Sequence, residues 1–307
     1  MIKTNDFLRL FLREEGGHLT KYIYYCRDVD WFKLFVKTPQ CYIHPFDRTL
    51  IASLAKDNMP INLRNNHIFE IGAGCKETVL SKSIPIVKAL GGKAYTAIDI
   101  HHDYAVNASQ ILYQHTNILC NAIEADAFSD LPIAHHDKKL IILIGSTLGN
   151  LVDQDLSHFL SMLNKTLKIG EHFLITVDTC NDQALLKAYY DNTYLKELCL
   201  NVMRCLKDQI LYDQKFDPEL FSFKYHWNTE KGQVELRLQA EAMQHFMLEN
   251  QPIVIAKSQE YHILTSRKFS IESLSKLAEQ YGFRVTFTHS IENNYMLLAV
   301  LEKVSEV

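Results

Sequence analysis

The stretch Ile68-Phe-Glu-Ile-Gly-Ala-Gly74 narrows the possible folds more than any other part of this chain. An apolar run that stops at two glycines two residues apart predicts a buried strand entering a tight turn. Glycine allows the backbone to turn that sharply and to approach a ligand closely. Glu70 stands just before the turn, near the carboxyl end of the strand, where open α/β sheets bind their ligands. Glu77 to Gly91 then reads as a helix stopped by Gly91-Gly92. A dinucleotide-binding turn would carry a third glycine at position 77, and this chain has Glu77. That argues against a pyrophosphate ligand.

From Ile68 to Asp178 the pattern alternates strand and helix, which predicts a parallel sheet. Strands are expected at His67–Ile71, Ala94–Ile100, around Ile123, at Leu140–Ile144 and at His172–Asp178. Asp99 comes 25 residues after Gly74, where a carboxylate can accept from both hydroxyls of a ribose. The bland alternative is a turn or capping aspartate. Asp126, followed by Ala127-Phe128, is placed to accept from an adenine amine, with those two residues as ring wall. The unbroken apolar run Leu140–Ile144 implies a strand covered on both faces. The loop after it, Gly145-Ser-Thr-Leu-Gly-Asn150, crosses the carboxyl edge of the sheet, so Asn150 is expected to face a ligand.

The character changes after residue 182. Helices are expected near Ala184–Tyr190 and Leu195–Ile210, and period-two alternation at 221–227 and 234–240 predicts antiparallel strands. A helix at Ile271–Gln280 and a closing hairpin, Phe283–His289 with Tyr295–Leu301, return to the first architecture. At the other end, the aromatic residues before about position 55 include a short amphipathic helix at Asp30–Val36, broken at Gln40–Pro45. The tyrosines there are either core or part of a substrate lid.

A 47% hydrophobic content over 307 residues is enough for one large domain or two. A formal net charge of −4 gives no basic field for nucleic acid. Seven cysteines without regular spacing read as reduced, cytoplasmic thiols. The first residues lack signal-peptide organisation, and no apolar run reaches membrane-spanning length. The pairs His101-His102-Asp103 and His135-His136-Asp137 lack metal-ligand spacing, so no metal is expected.

With those pieces placed, the chain resembles the histidine-specific, S-adenosyl-L-methionine (SAM)-dependent Nα-methyltransferases of ergothioneine biosynthesis. The likeness runs from about Lys21 to Lys303. It is carried by Lys21-Tyr-Ile-Tyr24, Phe69–Gly74, Ala97-Ile-Asp99, Gly145–Asn150, Leu186–Asp191, Phe216-Asp217, Glu235–Ala240 and Ser266-Arg-Lys-Phe269. The resemblance implies an α/β fold: a Rossmann-like class I SAM methyltransferase with a second, inserted α+β substrate-binding domain. The SAM-binding domain would be 56–181 plus 269–307, and the substrate domain 1–55 plus 182–268. Glu70, Gly72, Gly74, Asp99, Asp126, Ala127 and Gly145 would hold SAM. Asn150 and Tyr189, or its neighbour Tyr190, would bind the α-carboxylate of an amino acid. Tyr24 would place its hydroxyl beside the amine, as the catalytic residue.

The chain departs from the family at the side-chain end of the acceptor. The family's Thr-Glu-x-Ser-x-Lys-Phe stands here as Ile263-Leu-Thr-Ser-Arg-Lys-Phe269, so the imidazole-binding glutamate is Leu264. A methionine beside Glu-x-Arg is Leu236, and the family's Tyr-Tyr-Pro-Thr-Arg is altered around Tyr42. Two leucines suit an indole or phenyl ring, although Ser266 or water would still serve histidine. The expected activity is N-methylation of the α-amine of a free amino acid, histidine or a related aromatic such as tryptophan. The expected protein is a cytoplasmic monomer that engages neither nucleic acid nor membrane. The rivals are a methyltransferase of another small aromatic amine or hydroxyl compound, and a non-catalytic SAM-binding protein.

Overall fold

The computed structural model describes Leu19 and residues 34–54, 59–133, 138–209, 211, 215–248 and 251–307. Tyr24, the start of the expected helix at Asp30–Val36, and the pair His135-His136 lie outside the described residues. The chain forms two compact units. One comprises Ile43–Cys180 and Lys268–Val307, and the other Met1–Tyr42 and Asn181–Arg267.

The larger unit is built on a seven-stranded sheet. Its strands are β1 (His67–Ile71), β2 (Ala94–Asp99), β3 (Leu119–Glu124), β4 (Lys139–Leu143), β5 (His172–Asp178), β11 (Phe283–Ser290) and β12 (Met296–Lys303). The order is β11-β12-β5-β4-β1-β2-β3. The five strands from β3 to β5 pair in parallel, and β12 and β11 run antiparallel at one edge. Every residue of β4 and β5 is buried, as an unbroken apolar run requires of a central strand covered on both faces. Phe69, Ile141, Phe173 and Leu297 belong to the core cluster that positions the strand ends. This is the α/β, Rossmann-like arrangement, closed by the hairpin that the C-terminal alternation predicts.

The helix after β1 begins at Lys76 and ends at Leu90, with Gly91 in the left-handed conformation as its cap. Its middle, Val79–Ser83, is a π turn in which the Ile84 N–H donates to the Val79 carbonyl five residues back. The cause is the next residue. Pro85 has no N–H to continue the ordinary pattern.

Residues 43–54 belong to the larger unit, whereas the sequence suggests a substrate part over 1–55. Ile43–Ala52 is a helix of the larger unit, and Pro45 sits in its first turn, where a proline is tolerated. Two observations tie it there. Asn294 Nδ2 donates to the Phe46 carbonyl at 2.9 Å, and Asp47 makes a fully buried ion pair with Lys82 at 2.5 Å.

The smaller unit carries the helices Gln183–Tyr190 and Thr193–Gln209, the first capped by the Asp182 side chain. A three-stranded antiparallel sheet joins β6 (Phe221–Asn228), β7 (Gln233–Ala240) and β10 (Glu260–Arg267) in the order β10-β7-β6. Alternation predicts β6 and β7; it does not predict β10 or the hairpin of β8 (Gln244–Leu248) and β9 (Gln251–Ile255). The expectation of seven reduced cysteines also needs correction. Cys41, Cys75, Cys120, Cys180 and Cys199 are free, but Cys205 is disulfide-bonded.

Candidate active site

The carboxyl ends of β1, β2 and β4 bring together most of the residues assigned to the cofactor. Gly72 and Gly74 have φ of +68° and +70°, which L side chains adopt only with strain. A Cβ on Gly72 would meet no atom within 4 Å, so backbone conformation and not crowding fixes glycine there. The turn is tied to the neighbouring strand through Asp99: the Gly74 N–H donates to its Oδ2 at 3.2 Å and the His101 N–H to its Oδ1 at 3.0 Å. A carboxylate offers about four acceptor sites, so capacity remains for further donors. Burial holds the Asp99 pKa above the ordinary range.

Glu70 lies in β1, two residues before Gly72. It is fully buried, and its two oxygens accept from Ser83 Oγ at 2.9 Å and from the Tyr95 hydroxyl at 2.5 Å. Burial pushes its pKa up to about 7, against the opposing pull of those two hydrogen bonds and of Lys82. Its visible task is to lock the helix and β2 to β1. Asp126 likewise serves its own turn, accepting from the Phe128 N–H at 3.3 Å and from Ser129 Oγ at 2.9 Å. Ala127 is buried beside it, and Phe128 packs edge-on to Phe159.

After β4 the backbone is unusual. Gly145 has φ +103°, and Ser146, which is not glycine, has φ +64°. Two bonds hold this bend: Gly145 N–H to Thr176 Oγ1 at 2.8 Å, and Asp178 N–H to Ser146 Oγ at 3.1 Å. It leads into the short 3₁₀ helix Thr147–Asn150, which places a half-buried Asn150 beyond the carboxyl end of β4. Asp178 is itself fully buried and pairs with Lys268 at 2.5 Å.

In the smaller unit the residues assigned to the acceptor gather on one face. β7 and β10 pair so that Leu236 is directly opposite Leu264, with Val234 opposite Ser266 and Tyr225 of β6 opposite Leu236. Leu236 is completely buried and Leu264 nearly so. The Tyr190 hydroxyl and Ser266 Oγ share a hydrogen bond at 2.6 Å. Tyr189 packs against Phe35 and Tyr42, each ring at 4.8 Å, and against Tyr190 at 4.5 Å. The ambiguity between Tyr189 and Tyr190 thus becomes a division: Tyr190 is joined to β10, and Tyr189 to an aromatic cluster. The opposite face is polar. Burial raises the Glu235 carboxyl, but bonds from Arg237, Gln233 and Asn228 outweigh it and hold its pKa at about 2.

A sequence model described as "Histidine-specific methyltransferase, SAM-dependent" matches residues 11–303. The chain belongs to that family. Two relatives are each named "Histidine N-alpha-methyltransferase". The one from Mycolicibacterium smegmatis is 28% identical over half of this chain, and the one from Mycobacterium tuberculosis is 24% identical over 59% of it. The matched stretches span 49% and 57% of those relatives, about half their length. Among solved structures, an S-adenosylmethionine-dependent methyltransferase from Clostridium acetobutylicum ATCC 824 aligns at a TM-score of 0.41 with 11% identity, covering 98% of this chain and 99% of that one.

SAM is the cofactor of this methyltransferase family, and the larger unit fits it. The space beside Gly72 and the spare acceptor capacity of Asp99 are what a nucleoside with an amino-acid tail requires. Among the described residues no cluster of three histidine, cysteine or acidic side chains is placed to hold a metal, and no helix is long and apolar enough to cross a membrane. Sequence reasoning missed Lys82, Asp47, Ser83 and Tyr95 in this member of the family. Its one available signal was a lysine inside the apolar helix Val79–Leu90.

Proposed function

We propose that this protein methylates the α-amino group of a free aromatic amino acid, using SAM. Family membership supports methyl transfer, and the observation that carries the choice of acceptor is Leu236 opposite Leu264. Where the family places a glutamate for the imidazole N–H, this chain has an aliphatic side chain. A buried donor left unpaired costs roughly 1–3 kcal/mol. That disfavours histidine relative to an indole or phenyl ring, although the Ser266–Tyr190 hydroxyl pair still offers histidine a polar partner.

SAM, when bound, supplies an electrophilic methyl on a sulfonium. The chain's own work is to bind and align. Asp99 takes the ribose hydroxyls, and Asp126 with Ala127 takes the adenine. Tyr189 takes the acceptor's α-carboxylate, and Tyr42 lies in the aromatic cluster with Tyr189. Holding two reactants in line supplies about 7–11 kcal/mol of the barrier reduction, so no covalent intermediate is needed. The attacking amine must be neutral. Tyr24 orients it through its hydroxyl, since a tyrosine pKa near 10 makes it a poor base. Tyr24→Phe should therefore lower turnover far more than SAM affinity, and equal losses would remove Tyr24 from this role.

The direct test incubates the protein with SAM and the twenty amino acids and reads the products by mass spectrometry. Methyl groups on the α-nitrogen of tryptophan, tyrosine, phenylalanine or histidine are the expected result. Methylation of another atom, or SAM binding with no methylated amino acid, would overturn the reading.

A further inference from the structure

The buried ion pair of Lys82 and Asp47 has no task in the scheme above. Lys82 lies on the π turn and is 2% exposed; Asp47, on the helix Ile43–Ala52, is 0% exposed. Desolvation largely cancels the attraction of such a pair, so stability alone is a poor reason for it. This pair is also incomplete. Lys82 donates to Asp47 Oδ2, and Asp47 Oδ1 has no hydrogen-bond partner among the described residues. An ammonium carries three N–H donors, and Asp47 is the partner that Lys82 has among those residues. Its Nζ would stand 3.8 Å from a Cβ built on Gly145, the nearest contact outside that glycine and its chain neighbours. The ammonium is therefore at the end of β4, next to β1 and its glycine turn. π turns recur at functional sites.

We propose that Lys82 and Asp47 receive the α-amino-acid end of the methyl donor, Lys82 through its carboxylate and Asp47 Oδ1 through its ammonium. The inference rests on the SAM reading above and names residues for a part of the donor that reading left unassigned. A free α-amino acid is a zwitterion, and a buried cation and anion, each with unused hydrogen-bonding capacity, are its complement. The acceptor ends in the same zwitterion, but its nitrogen has to lose a proton before it can attack. A carboxylate that holds an ammonium keeps that proton in place, so the donor's tail is the match and the acceptor is not.

The test compares two nucleosides on the full chain by calorimetry: S-adenosylhomocysteine, and 5′-methylthioadenosine, which lacks the amino-acid end. The native protein should prefer S-adenosylhomocysteine. Lys82→Met and Asp47→Asn should each cut that preference by about 10–100-fold while leaving 5′-methylthioadenosine affinity unchanged. Asp47→Asn keeps the size of the side chain and an oxygen for Lys82, so it decides the matter if Lys82→Met does not fold. An unchanged preference overturns the inference and leaves the SAM reading standing. Weakened binding of tryptophan or histidine with the preference intact assigns the pair to the acceptor and overturns it too. A native protein that binds neither nucleoside overturns both this inference and the reading beneath it.

Discussion

The carboxyl edge of the large sheet and the inner face of the small one are organised in opposite ways. At the large sheet, Asp99 is fastened to the backbone of the glycine turn, and Glu70 to a helix and a neighbouring strand. On the small sheet, Leu236, Leu264 and Tyr225 are cross-strand neighbours, and the polar element is the Tyr190–Ser266 hydroxyl pair. Preorganised polar groups discriminate strongly among ligands, whereas an apolar surface separates them only by size and shape. The first arrangement suits an invariant cofactor. The second suits a side chain that can differ between relatives without disturbing methyl transfer.

The comparison breaks most readily at Asp99. Asp99→Ala removes the Gly74 tether of the turn and the local bond from the His101 N–H, and S-adenosylhomocysteine affinity by calorimetry is expected to fall about 100-fold or more. Tryptophan affinity should fall little; parallel losses would mean that the two regions are not separable. The next effect is on specificity. Leu264→Glu restores an acceptor for an imidazole N–H and should raise the ratio of kcat/KM for histidine over tryptophan by about tenfold or more.

A third prediction concerns Glu70 and pH. Its folded pKa, about 7, lies above its ordinary 4.5. Its contribution to stability is therefore complete below pH 4.5 and is lost as pH rises through 7. Urea unfolding should show the native protein losing on the order of 1–3 kcal/mol more than Glu70→Gln between pH 5 and pH 8. The smallest effect is expected from Tyr190→Phe, which removes one hydroxyl and should cost about 1 kcal/mol of stability. If it instead abolished amino-acid binding, the small sheet would be a polar site after all.

The sequence made the large unit legible because its signals are local. β1 ends where an apolar run meets two glycines, and Gly91 stops the helix as its left-handed preference requires. The acceptor face was named residue by residue through family likeness, yet its geometry was hidden. That Leu264 lies opposite Leu236 depends on pairing between segments far apart in the chain and on a register shift between His262 and Leu264. Alternation counted from Tyr261 puts Leu264 on the wrong face. Asp47 and Lys82 are 35 residues apart, and nothing in either segment announces the other. Pro45 misled for a simpler reason, since a proline that ends one helix and a proline that opens another look alike in sequence.

The shift in β10 gives that strand a reserve. Ile263 is the extra residue at the register shift: His262 pairs with Arg237, and Leu264 already pairs with Leu236. Deleting Ile263 would leave a regular ladder with every later pair unchanged. Deleting Leu264 would let isoleucine step into the vacated rung, still opposite Leu236, with Ser266 undisturbed. An added residue finds no such slack. Here the strand forgives shortening and resists lengthening, so loss of one residue at this point would leave Ser266 opposite Val234.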